Sequence, residues 1–242
     1  MKKLLFLAMA MAFIASAAVA ATCSVSATAP AVDEDDIANF GAQAATDKWW
    51  NDTKTSGYPK GQTFTTDSDG SILNGITFEI SDTQSAEITK EYIIRVSTVN
   101  RVDPADSSTW ELTPIATETA TQNVQWIGAT KAANQGVAAA PFMTWTFDAP
   151  VTLAGDTEYG IDLGMTSTTS GWQTGIPYII VTNDEYAGGT RYMSGTAGAG
   201  IGDTTMNNTS RDLKFHLDMS AVPEPATLVL LGLGGFLLRR RR

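Results

Sequence analysis

Cysteine and histidine are almost absent from this chain: Cys23 and His216 stand alone among 242 residues. A single cysteine excludes an intramolecular disulfide framework, so any folded domain must rest on its own core. The same scarcity argues against zinc and copper sites, whose ligand sets draw on several histidines and cysteines. A Ser-His-Asp triad would have to recruit His216, which alternation sets opposite Phe215 and Leu217, on the outer face of its strand. No Gly-x-Ser-x-Gly elbow occurs, and Cys23 lies in an Ala/Ser/Thr-rich linker, where a Cys-His pair is not plausible. Basic residues are scarce too. Formal net charge is -10, and with Lys2, Lys3, Glu224 and the four terminal arginines set aside, ten basic and twenty-five acidic residues remain over 22–222. That surface repels phosphate backbones, which excludes nucleic acid as a partner, and it meets acidic polysaccharide only across bridging divalent cations. Between 62 and 219 no stretch sustains a 3.6-residue apolar period.

The long apolar runs that do exist sit at the two ends. Lys2 and Lys3 precede an apolar run from Leu4 to Ile14, followed by Ala18-Val19-Ala20 as an A-x-A cleavage site between Ala20 and Ala21. This is the layout of a secretory signal peptide over residues 1–20, too short to span a bilayer comfortably. Cys23 is not preceded by the leucine and small residue of a lipidation site, and it reads as an incidental cysteine in a disordered stub. Residues 21–36 are poor in large apolar side chains and end in Asp33-Glu34-Asp35-Asp36, the composition of an acidic flexible linker.

At the other end, residues 221–242 contain Pro223-Glu224-Pro225, an apolar run from Leu228 to Leu238 interrupted by three glycines, and then Arg239, Arg240, Arg241 and Arg242. The two prolines disfavour helix and central strand. Ala226 to Leu238 gives thirteen uncharged residues, a transmembrane-type helix of roughly 20 Å against a hydrocarbon core of about 30 Å. Such a helix serves a transient hold better than a durable anchor, with the arginines as a cytoplasmic stop. The order of these parts resembles the PEP-CTERM sorting signal of bacterial surface proteins. The resemblance implies recognition of Pro223, Glu224 and Pro225 by an exosortase, a membrane processing enzyme, after passage through the export machinery. It also implies inner-membrane anchoring by the C-terminus, then delivery to the cell surface or extracellular matrix.

The body, residues 37–220, reads as a single all-β domain, an antiparallel sandwich of eight or nine strands. Phe64 lies in a short β-branched run, and Ile76, Phe78 and Ile80 share one face of the next. Ile94 and Val96 alternate against Arg95 and Ser97; Met143, Trp145 and Phe147 alternate with Thr144 and Thr146. Val151 and Leu153 follow a break at Ala149-Pro150. Tyr159, Ile161, Leu163 and Met165 alternate with Gly160, Asp162 and Gly164, and Leu213, Phe215, Leu217 and Met219 with Lys214, His216 and Asp218. Pro114 marks the run from Trp110 to Thr119 as an edge strand. The order Gln-Thr-Phe-Thr-Thr, turn, Gly75 to Ile80, then Phe147 to Leu153 and Gly155 to Tyr159, resembles exported jelly-roll domains that carry such tails. Residues 187–210 read as a long surface loop with a short strand at Arg191-Tyr192-Met193.

Little in this body announces chemistry. Asp67-x-Asp69-Gly70 has two carboxylates in a turn, a weak calcium candidate, but its glycine is misplaced for an EF-hand loop, and Asp and Gly are ordinary hairpin residues. No other cofactor is indicated. Trp110, Trp126, Trp172 and Tyr186 lie outside the best alternating strands, and Trp126 and Trp172 sit in the Gly/Gln/Thr-rich surroundings of a sugar-stacking platform. The expectation is a non-catalytic module in contact with exopolysaccharide or surface proteins. Two alternatives stand beside it: an exported carbohydrate-active hydrolase using two unassigned carboxylates, and a membrane-anchored spacer without a ligand.

Overall fold

A computed structural model describes residues 21–48, 60–82, 89–103, 110–123, 141–165, 178–183, 186–194, 206–208 and 211–222. Fourteen strands run through these residues, and no helix occurs among them. In chain order they are β1 Thr22–Ser26, β2 Ile37–Asn39, β3 Gln43–Lys48, β4 Lys60–Thr65, β5 Ser71–Asp82, β6 Thr89–Arg101 and β7 Trp110–Asn123. There follow β8 Phe142–Leu153, β9 Glu158–Met165, β10 Tyr178–Asn183, β11 Arg191–Ser194, β12 Met206–Asn208, β13 Arg211–Leu213 and β14 Phe215–Ala221.

They form two antiparallel sheets. One has six strands in the order β12-β11-β4-β9-β6-β7; the other has eight, built around β5, with β8 and then β1 on one side and β14 and β10 on the other. Period-2 alternation directs Ile76, Phe78 and Ile80 of β5 and Met143, Trp145 and Phe147 of β8 into the space between the sheets. They meet Phe64, Tyr92, Ile94, Val96, Tyr159, Ile161 and Leu163 of the six-stranded sheet in one buried cluster. Trp145 is the largest of these side chains and is 1% exposed.

Three expectations change. The stretch 21–36 is not a featureless linker: β1 pairs along β8 from Thr22↔Thr146 to Ser26↔Phe142, and Cys23 packs into the core at 8% exposure. Single-residue alternation is the reason, since Cys23 and Val25 point inward between exposed Thr22, Ser24 and Ser26. Burial also pushes the Cys23 thiol up to about 12, so it is a core side chain and not a reactive one. The strand count exceeds the eight or nine expected because short strands pair from segments with weak alternation, such as β2 with β14. The break at Ala149-Pro150 is a bulge within β8, in which Phe147 to Pro150 stand opposite the single residue Asn74 of β5.

Other expectations hold. β7 pairs with β6 alone among the described residues, as Pro114 required, and Ile115 is extruded as a bulge between Val96↔Ala116 and Ser97↔Pro114. Arg191–Ser194 is a strand inside the long loop. Asp67 to Gly70 is a turn: the Gly70 amide donates to the Asp67 carbonyl at 3.1 Å, and Gly70 has φ 73°, which glycine alone tolerates freely.

Candidate functional site

Both ends of the described chain emerge at one pole of the sandwich. β5 starts there at Ser71, which pairs with Ala221 of β14 and with Leu153 of β8. The turns Asp33–Asp36, Asp67–Gly70 and Gly155–Asp156 gather at the same pole, and the Asp67 carbonyl accepts from both the Gly70 and Asp156 amides. Pro223, Glu224 and Pro225, which follow the last described strand, lie outside the described residues, as do Arg239–Arg242 and the segment expected to form the tail helix. Ala20 is outside as well; Ala21, on the far side of the expected cleavage site, is half-buried and packs against the core.

Asp36 organises this pole. Its side chain, 4% exposed, accepts from the Met219 amide and the Asp33 amide, both at 2.8 Å, and faces Nε2 of His216 at 2.9 Å. Burial on its own would raise the Asp36 carboxyl, but the two amides and His216 outweigh it and hold the group below the ordinary carboxylate value. His216 is therefore not on an open face. Its parity opposite Phe215 and Leu217 is as expected, but Phe40 stacks over the ring at 6.5 Å and Asp36 closes it in, leaving 4% exposure. The imidazole faces a carboxylate that clamps a strand.

The Asp36 clamp carries a pH prediction. A carboxyl lowered in the folded state adds stability above its unfolded pKa, and that stability is lost as pH falls through the folded value. Asp36→Ala is expected to lower stability at pH 7 by roughly 1.5–3 kcal/mol, the range for hydrogen bonds to a charged group. The gap between wild type and variant should close in acid. Urea unfolding of both proteins from pH 7 to pH 3 checks this, and a gap that stays constant would disprove the linkage.

A cleft of about 350 Å³ beside this network is lined by Glu34, Asp36, Thr66, Asp67, Ser71 and Tyr186, among others. Tyr186 is half-buried with its ring edge-on to Phe215, and burial together with Asp212 pushes its hydroxyl up to about 12. Among the described residues no three His, Cys, Asp or Glu side chains come together as a metal-ligand set, and Asp67 and Asp69 both point to solvent. A second cleft, about 560 Å³, runs past Thr65, Arg101, Glu158 and Gly188 to Thr190. Arg101 there binds Glu158 through two hydrogen bonds and lies over the Trp110 ring, 4.0 Å from its centroid. Trp110 is no sugar platform: it is 3% exposed and its indole donates to the Asp103 carbonyl. Trp126 and Trp172 lie outside the described residues.

The outer face of the six-stranded sheet carries a second buried layer that alternation alone did not disclose. Arg95 and Asp162 pair across β6 and β9 through two hydrogen bonds of 3.1 and 2.6 Å, with side chains 3% and 0% exposed. Tyr192 donates its hydroxyl to Asp162 and lies over Gly61 and Gly160. Trp110 and Leu112 join Tyr192 in a small apolar cluster there. At the edge between the sheets, Gln62 bridges Asp212 and the Leu213 amide, while Asp212 also accepts from the Tyr186 amide. The one sequence signal for this layer was Asp162 set between Gly160 and Gly164, a charge flanked by residues without side chains.

Residues 221–242 match the model of the PEP-CTERM protein-sorting motif. Neither a search of curated proteins nor one of solved structures finds a match to the chain. The fold and the tail together define an exported all-β protein sorted through its C-terminus. More particularly, the tail is a PEP-CTERM signal, which marks its bearer for C-terminal membrane anchoring and exosortase-type processing. No helix of the described residues is long and apolar enough to cross a membrane.

Proposed function

We propose that the sandwich is a non-catalytic surface or matrix module, released to the cell surface by processing at Pro223-Glu224-Pro225 and there contacting exopolysaccharide or other surface proteins. The observation that carries this reading is the sorting motif at 221–242, adjoining a β-domain that ends at Ala221. Two features of the domain support its non-catalytic part. Arg95 is paired with Asp162, and Asp36 with His216, in two separate buried contacts. The Asp36 carboxyl in the acidic cleft is shifted down, opposite to what a general acid requires. The reading needs no cofactor, and the strong negative charge keeps the module soluble outside the cell.

Glu224→Ala, or deletion of Arg239–Arg242, is expected to leave most of the protein as unprocessed precursor in the membrane fraction. Immunoblotting of membrane and released fractions reads this directly, and unchanged processing would refute the sorting role. Binding is tested by pull-down with the host's exopolysaccharide, with loss expected in a Trp126→Ala/Trp172→Ala variant. Hydrolysis of that polymer by the purified protein would instead establish the enzyme reading.

A further inference from the structure

Sheet register fixes where the tail leaves the body. Ala221 pairs with Ser71 at the start of β5, and β14 runs toward that pole. Thr22 pairs with Thr146, Thr146 with Gly75, and Gly75 with Asp218, so β1 begins three residues along β14 from Ala221, or four along β5 from Ser71, and runs away from that pole. Chain entry and chain exit therefore share one pole. Only Val222 to Thr227 separate the last strand from the apolar run, a spacer of at most about 20 Å when fully extended.

That pole exposes the carboxylates of Asp33, Glu34, Asp35, Asp67, Asp69 and Asp156. Among the described residues, Arg101 on this side is paired with Glu158, and the exposed Arg211 sits beside Asp212 on the β13 flank. With a spacer of that length the carboxylates stand within about two and a half Debye lengths of the bilayer at physiological salt, at about 8 Å per length, and well within one at low salt. Bacterial-type bilayers rich in anionic headgroups repel such a surface.

We propose that this pole is the membrane-facing surface of the protein while the tail is in place, and that it works as a stand-off face. The tail draws the sandwich down pole first, and the carboxylates hold it away from anionic lipid, leaving the Pro223–Pro225 segment in an open gap accessible to a membrane enzyme. The opposite pole is turned outward. The inference rests on the tail reading above and adds an orientation that the motif does not specify. Because the chain enters and leaves at one pole, the domain also folds without conflict while signal and tail are both still inserted.

The test uses the full chain reconstituted in vesicles of phosphatidylethanolamine and phosphatidylglycerol. A donor dye is attached at Asp69→Cys on the proposed facing pole, or at Ser26→Cys or Thr121→Cys toward the other; the native Cys23 is buried and stays unlabelled. Ser26 pairs with Phe142 and Phe142 with Glu79, so it lies eight residues along β5 from Ser71, roughly 26 Å at strand spacing. Energy transfer to an acceptor on the lipid headgroups is expected to be at least twofold greater from position 69 than from 26 or 121. Shrinking the Debye length from about 30 Å to about 3 Å with salt should raise transfer from 69 further. Equal or reversed transfer overturns the orientation. A pole difference without a salt response overturns the stand-off. Failure of the protein to float with vesicles would instead remove the tail reading itself, a result distinguishable from either.

Discussion

Replacing Arg95 with methionine is expected to cost the domain about 3–5 kcal/mol, the range for stranding one partner of a buried ion pair. Asp162 is fully buried and receives both nitrogens of the Arg95 fork, together with the Tyr192 hydroxyl. Without the guanidinium the carboxylate keeps its desolvation penalty and loses its compensating charge. Against a typical domain stability of 5–15 kcal/mol that is a large fraction. Arg95→Lys should recover only part of it, because an ammonium cannot reproduce the two-pronged geometry. The double variant Arg95→Met/Asp162→Leu should recover most of it, since well-packed apolar pairs often replace buried ion pairs at little net cost. Chemical denaturation of the four proteins decides the matter. A loss under about 1 kcal/mol for Arg95→Met would mean the pair behaves as a surface one.

The second large effect concerns Gly61. Within a strand, Gly→Ala ordinarily stabilises by roughly 0.5–1 kcal/mol through the unfolded chain. Here a Cβ at Gly61 would stand 2.2 Å from Cζ of Tyr192, whose ring lies across β4 and β9. Overpacking should reverse the sign, so Gly61→Ala is expected to destabilise by about 1–3 kcal/mol. In a Tyr192→Ala background the clash is gone and the same change should become neutral or mildly stabilising. The double-mutant cycle therefore predicts strong coupling between the two positions. Additive losses would show that the ring does not need the space above Gly61.

These two sites mark where the sequence was legible and where it was not. Core strands could be read because side-chain direction alternates with period 2: Ile76, Phe78 and Ile80, or Met143, Trp145 and Phe147, lie buried as that period demands. The same rule places Arg95, Asp162 and His216 opposite those residues, and a single chain read locally then assigns them to solvent. Their burial comes from partners far away in sequence, Asp36 for His216 at a separation of 180 residues and Asp162 for Arg95 at 67. β1 was missed for a related reason. Five small residues, only Cys23 and Val25 of them apolar, carry little apolar signal, and the strand exists because β8 presents an edge to it. The tail was legible because it is read in sequence order by a processing enzyme, and its parts are contiguous.

The edge strand β7 has a bearing on life outside the cell. A fourteen-residue strand with no partner on its outer side among the described residues would, in a crowded layer, offer every neighbouring copy a template for cross-β growth. Pro114 withdraws one donor from that edge, the Ile115 bulge breaks its register, and the exposed Glu111 repels a like edge approaching it. These features set the β7 edge against strand-to-strand growth between neighbouring copies, at a place where the fold itself supplies no covering strand among the described residues.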